Sequence, residues 1–290
     1  MRSDPFREPF ALRQSAAHAA DRTRSVTSPS QRLPAVFIAH GSPTNAVEAN
    51  VYTNAWRALG SSLPRPQAIV AISAHWYTRG AFVTANATPP TIHDFGGFPQ
   101  PLYEVRYDAP GSPELAARLA SQLDRVPVQQ SLDWGLDHGT WSVLVHAYPD
   151  ADVPVVQLSI DGTQPPAFHY ALGRELAALR DDGILVLGSG GIVHNLARVV
   201  WDHAAPPPAW AREFDARVRG RLEAGDHEAL IAYEQFGDAA RLAVPTPEHY
   251  LPLLYVLGTQ RPGEGVSIPV SGFDLGTIGM TCVVIGASPG

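Results

Sequence analysis

Three apolar runs of strand length, each ending at or close to a histidine, constrain this chain more than any other feature. "VFIAHGSP" runs from Val36 to Pro43, "AIVAISAHW" carries its histidine at His75, and "ILVLGSGGIVHN" leads through a glycine-rich turn to His194. None of the three alternates polar with apolar residues. Such runs suit strands buried on both faces, in a sheet covered by helices on each side. In open sheets of that kind the ligand crevice lies beyond the carboxyl ends of the strands. His40 and His75 therefore share one topological position. His194 falls near it, by the start of an expected helix.

Between these runs the pattern alternates strand with helix. The expected strands are Ala35–Ala39, Ala68–Ser73, Phe82–Ala85, Val153–Ser159, Ile184–Leu187 and Ile278–Ile285. The expected helices are Val47–Leu59, Pro113–Leu123, Pro166–Arg180, Ile192–Val200, Ala209–Glu223, His227–Glu234 and Pro247–Leu257. "SPEL" at Ser112 is a helix start, with a Ser cap, Pro at the first position and Glu next; "TPEHY" at Thr246 has the same form. The expected fold is α/β: a single domain with a mixed, mostly parallel central sheet flanked by helices, its active site at the strand C-terminal ends. No composition break divides residues 34–290. Residues 1–33, with six arginines and no apolar signal-peptide core, read as a flexible or loosely packed extension. The loop from Thr88 to Gly111, rich in Pro, Gly and aromatic residues, is expected to serve the site or cover something.

Composition removes several classes of function. A net charge of −7 argues against a nucleic-acid partner. All 21 basic residues are arginine, so Schiff-base chemistry, pyridoxal phosphate and P-loop phosphate binding are excluded. Cys282 is the one cysteine; it permits no disulfide framework or zinc ribbon and is compatible with a reducing compartment, so a cytoplasmic location is expected. No apolar run approaches the ~20 residues that cross a bilayer, and no membrane partner is expected. With 290 residues, 45% of them hydrophobic, the chain can bury one large core and act as a monomer or small homo-oligomer.

The remaining histidines divide by context. A neutral imidazole is the commonest metal ligand, and two or three converging ones hold zinc or iron. His40 and His75 read as functional, and the Gly41-Ser42-Pro43 turn suggests close backbone approach to a site. His249 lies in the first turn of an expected helix, with Glu248 as the carboxylate alternative. His138, in "DWGLDHGTW", is either an acid/base imidazole in an aromatic pocket or a turn residue bonded to backbone. His93 in "TIHDFGGFP" either lines a pocket or simply belongs to the long loop. His146 reads as a packed residue. His18, His169, His203 and His227 read as solvent-facing or locally bonded. "GSGG" at Gly188 fails as a dinucleotide loop because Val193 stands where the third glycine is needed. No serine-hydrolase elbow G-x-S-x-G and no H-E-x-x-H occurs.

Taken in order, "IAHGSP", "SAHW", "TIHDFGGFP", "LDHGTW", "GSGGIVHNL" and "TPEHYLPLLY" resemble the motifs of the 4,5-DOPA extradiol dioxygenase family, within the class III, LigB-like ring-cleaving dioxygenases. The resemblance runs from about residue 34 to the C-terminus and implies a catalytic domain over residues 34–290. It implies one divalent metal held by His40, His75 and His249, with His194 as a fourth ligand or a base and His138 as an acid/base. It also implies a small catechol substrate and O2, with Ser42, His93, Asp94 and Phe95 shaping the substrate pocket and Phe98 beside them. Wider class III enzymes use two histidines and a glutamate, a set suited to Fe(II). Here the third position is His249, and an all-histidine set also suits Zn(II). Fe(II) is the metal expected for dioxygenase activity. Two rival readings use the same histidines: a zinc-dependent hydrolase or lyase, and a non-enzymatic metal-binding relative.

Overall fold

A computed structural model of the protein describes residues 32–286. The expected extension therefore lies outside the described residues except at its end. There, Leu33 donates its N–H to Arg180 O at 2.9 Å and Arg32 pairs with Asp181.

Six strands form the central sheet: β1 (Ala35–Ala39), β2 (Ala68–Ser73), β3 (Val155–Gln157), β4 (Ile184–Gly190), β5 (Val266–Val270) and β6 (Cys282–Ile285). Their spatial order is β3-β2-β4-β1-β6-β5. The first four are parallel, while β6 joins β1, and β5 joins β6, antiparallel. Alternate residues of each buried strand serve opposite faces. Phe37, Val70 and Val186 enter one core, whereas Ile38, Ile69 and Leu187 enter the other. That two-sided burial is why these strands lack polar alternation.

The helices cover both faces. The longer ones are α1 (Val51–Ser62), α2 (Pro113–Gln122), α3 (His138–Ala147), α4 (Pro166–Leu176), α5 (Ala209–Glu223) and α6 (Leu251–Gly258). Helix α6, "LPLLYVLG", is buried at every position, as a helix apolar all round must be. It packs on α4 and β4. Ser112 caps α2 by accepting from Leu115 N–H. Thr246 makes no such cap, and its segment is a short 3-10 turn, Pro247–His249, ahead of α6.

Several boundaries differ from expectation. Only a 3-10 turn, Leu196–Arg198, forms within Ile192–Val200, because His194 bridges to Ile278 instead of entering a helix. Expected strand Ile278–Ile285 divides into Ile278–Gly279 and Cys282–Ile285. Strands Val128–Ser131 and Val266–Val270 are additional. The long loop contains one helical turn, Gln100–Tyr103. Among the described residues no helix is long and apolar enough to cross a membrane.

Candidate metal centre

Register places the first two histidines. Ala39 at the end of β1 pairs with Gly190 of β4, and Ser73 at the end of β2 pairs with Ser189. The parallel ladder continues one residue beyond each strand, as His40 N–H donates to Gly190 O at 3.2 Å and Ala74 N–H to Ser189 O at 3.0 Å. His40 and His75 thus leave neighbouring strand ends at one level. Their Nε2 atoms stand 3.1 Å apart.

His249 arrives from the other side by close packing against β4. A Cβ built on Gly190 would sit 2.2 Å from the carbonyl oxygen of His249. Gly191 N–H donates to that same oxygen at 2.8 Å. The "GSGG" stretch is therefore strand end and docking floor, where only glycine lets the second backbone approach. The His249 ring centroid lies 5.4 Å from that of His40 and 5.1 Å from that of His75. His194 stacks flat on His249, centroids 3.5 Å apart and planes 8° apart.

His138 is the first residue of α3. Asp137, fully buried, caps that helix by accepting from Thr140 N–H. It also accepts from Ser73 Oγ at 2.6 Å and Gln157 Nε2 at 2.7 Å, which locks the start of α3 to the end of β2. The two tryptophans flanking this stretch are engaged elsewhere: Trp134 stacks on Trp76 and Trp141 donates to Ile92 O. Phe95 is the ring that packs edge-on against His138. One nitrogen from each of His40, His75 and His138 lies within 4.8 Å of the others.

The outer partners set the tautomers. Ser189 Oγ gives its proton to Gly139 O, so it accepts from His40 Nδ1 at 2.9 Å. Asp94 Oδ2 accepts from His75 Nδ1 at 3.2 Å. Glu248 Oε1 accepts from His249 Nδ1 at 3.2 Å. With Nδ1 so engaged, Nε2 is the nitrogen that each ring has left to offer a cation. Asp94 Oδ1 serves His138 in the same way at 2.9 Å. Burial alone would raise the Asp94 carboxyl, but hydrogen bonds from His138 and His75 outweigh it and hold it well below the usual carboxylate range. Burial, reinforced by the neighbouring imidazoles, pushes His40 and His249 far below the usual histidine value. It takes His194 down to about 3. These rings are neutral at pH 7.

Donors of this kind fit a divalent cation. His249 Nε2 is buried without a hydrogen-bond partner among the described residues, a costly arrangement for a lone pair that nothing occupies. The two facing Nε2 lone pairs of His40 and His75 repel unless a cation lies between them. Two nitrogens bound tetrahedrally at about 2.0–2.1 Å stand about 3.3 Å apart, close to the 3.1 Å found here.

A cavity of about 310 Å3 opens over this cluster, lined by all five histidines, Ser42, Asp94, Phe95 and Phe98. His93 is not on its wall: its ring packs against Phe95 and Trp141, and its Nε2 donates to Val105 O. His146 packs inside, donating to Asn45 O. His169 is the locally bonded alternative, its Nε2 on Gln164 O, and it is fully buried. Ser189, Trp201 and Leu275 were not identified from sequence, although a tryptophan in the polar stretch after "LARVV" is a usable signal. Trp201 and Leu275 line the cavity, and Ser189 holds His40 from behind.

The family described as the catalytic LigB subunit of aromatic ring-opening dioxygenase matches residues 33–279. A 4,5-DOPA dioxygenase extradiol from Escherichia coli K12 is 51% identical over 267 residues, covering 91% of this chain and 98% of that protein. Its counterpart from Beta vulgaris is 40% identical over 231 residues, covering 77% and 85%. A crystal structure of an uncharacterized Escherichia coli K12 protein superposes with a TM-score of 0.77 at 46% identity, covering 88% of this chain and 100% of that one.

Proposed function

Since the chain belongs to the LigB family of aromatic ring-opening dioxygenases, we propose that it opens a DOPA-like catechol beside its two hydroxyls, using O2 and one divalent metal. The observation that carries this reading is the meeting of His40 and His75 at 3.1 Å between their Nε2 atoms, with the Nε2 of His249, partnerless among the described residues, on a ring 5.1 to 5.4 Å away, centroid to centroid. His40, His75 and His249 are the ligands, held by Ser189, Asp94 and Glu248 respectively. When bound, Fe(II) supplies Lewis acidity and a redox path between catechol and O2. Zn(II) fits the same donors but has no redox chemistry.

The chain's own residues do the rest. Phe95 and Phe98, packed edge-to-face on each other, line the cavity and give an aromatic ring an apolar wall that displaces water. His194 is neutral and lies on His249, so it is placed to take a catechol hydroxyl proton as general base. His138, its Nδ1–H fixed on Asp94, keeps Nε2 free to take up a proton released by the catechol or by water and hand it to the departing oxygen. Its contact with Phe95 puts it on the substrate side of the cluster. His93 acts indirectly by backing Phe95. The bond between a hydroxylated carbon and its unhydroxylated neighbour breaks. Both atoms of O2 enter the product, one as carboxylate and one as aldehyde. Residues 34–290 form the catalytic domain in this reading, and the buried thiol of Cys282 is compatible with a cytoplasmic setting.

The test is anaerobic Fe(II) loading followed by a catechol panel, with oxygen uptake and the yellow ring-opened product as readouts. One O2 consumed per catechol is expected; no uptake with any catechol sinks the proposal. Activity that persists with Zn(II) and without O2 replaces it with metal-assisted hydrolysis or lysis. His249→Ala is expected to lose metal, and His138→Ala to keep metal but lose turnover. The opposite pair of results exchanges their roles.

A further inference from the structure

Behind the histidine cluster, on the side away from the cavity, two indoles lie face to face. Trp76 follows His75 directly in the chain and is buried. Trp134 stacks on it with ring centroids 5.8 Å apart and planes 3° apart, an offset stack in which the two π faces overlap. Trp134 is half-buried and follows the exposed Leu132 and Asp133. The stack therefore runs from the residue beside the metal centre to the solvent.

The outer indole also has a proton acceptor. Trp134 Nε1 donates to Asp137 Oδ2 at 3.3 Å. Asp137 is fully buried, and the side chains that donate to it besides Trp134, Ser73 and Gln157, are neutral. Among the described residues no arginine pairs with it. A buried carboxylate in that state stabilises positive charge arising beside it. An indole that gives up an electron becomes strongly acidic at Nε1, and this oxygen is placed to take the proton. Apolar packing calls for flat rings at these positions. It does not call for two readily oxidised ones, nor for a carboxylate on the outer indole nitrogen.

We propose that Trp76 and Trp134 form an electron relay that drains oxidising equivalents from the metal centre when a peroxide reaches it without a catechol. The relay rests on the redox-metal reading above and adds a protective function to it. Hydrogen peroxide takes up two electrons and two solvent protons to become two waters. Bound Fe(II) supplies one electron and the indole pair supplies the other. Trp76 passes its electron through the peptide to His75, Trp134 refills Trp76, and Trp134 Nε1 gives its proton to Asp137 Oδ2. A one-electron reductant from solution, such as ascorbate, restores Trp134, and Asp137 returns the proton. Without the relay the oxidant is left among the imidazoles of His40 and His75.

The experiment mixes Fe(II)-loaded wild type, Trp76→Phe and Trp134→Phe with hydrogen peroxide and no catechol. Freeze-quenched samples are read by electron paramagnetic resonance, and digests by mass spectrometry. Wild type is expected to give a tryptophan radical and, without ascorbate, added oxygen on Trp134; ascorbate should remove both. Each Phe variant is expected to lose the radical, to carry the added oxygen on His40 or His75 and to lose metal. The relay is overturned by the absence of a tryptophan radical in wild type, or by histidine oxidation equal in wild type and variants. The same radical in Zn(II)-loaded protein also overturns it, since peroxide then attacks the indole directly. Should a variant fail to fold, the wild-type radical and its Zn(II) control decide. Ring opening is scored apart, by catechol-dependent O2 uptake, so either claim can fail alone.

Discussion

Asp94 Oδ1 accepts twice from His138, from its backbone N–H and from its ring Nδ1, each at 2.9 Å. The other oxygen of the same carboxylate holds His75. One side chain from the long loop therefore sets the tautomers of two imidazoles that leave different elements.

Asp94→Asn keeps the shape of that side chain but removes its charge and half its accepting capacity. Second partners of this kind typically contribute about 10–100-fold to metal affinity or activity. Metal content and oxygen uptake should both fall within that range, with an unchanged far-UV circular dichroism spectrum. A variant that retains full metal and full turnover shows that backbone geometry alone orients His75 and His138.

Gly190→Ala tests the docking of His249. The added methyl would lie 2.2 Å from a backbone oxygen, so strand β4 and the Pro247–His249 turn must separate. Overpacking of this sort costs about 1–3 kcal/mol. A lower urea midpoint should accompany weaker metal retention, measured by elemental analysis. Metal retention equal to wild type shows that His249 is held by other contacts.

His169 offers a pH signature away from the metal site. Burial lowers it to about 4, where its ring bonds Tyr255 Oη and Gln164 O. The folded value lies below the unfolded value of about 6.5, so the unfolded chain binds the extra proton between the two. The stability is therefore complete above about pH 6.5 and is lost as pH falls toward about 4. His169→Gln should flatten the stability profile in that window by up to about 1.4 kcal/mol per pH unit, read from urea midpoints at successive pH values. An unchanged slope assigns the acid sensitivity to other groups.

Arg180 is fully buried and ties four chain segments, donating to Leu33 O, Thr259 O, Ile285 O and both oxygens of Glu264. Breaking a buried pair by removing one partner costs about 3–5 kcal/mol. Arg180→Met should lower stability by that order, and adding Glu264→Gln should recover part of it. A loss below about 1 kcal/mol would show that Arg32, which also reaches Glu264, takes over.

Much was legible in the chain itself. Apolar runs at 35–39, 68–73 and 184–187 read as strands because they are short, rich in β-branched residues and free of polar alternation, and they point to the histidines that leave at strand ends. The link from His40 and His75 to chemistry was local in sequence, one or two residues past a strand. What the sequence could not decide was everything set by distance across the fold. That Gly190 is a floor for His249, that Asp94 serves two histidines and that His194 forms a bridge instead of a helix all depend on contacts between residues dozens of positions apart. Local propensity carries no information about such pairs. Only packing the sheet and its helices into one core brings them together.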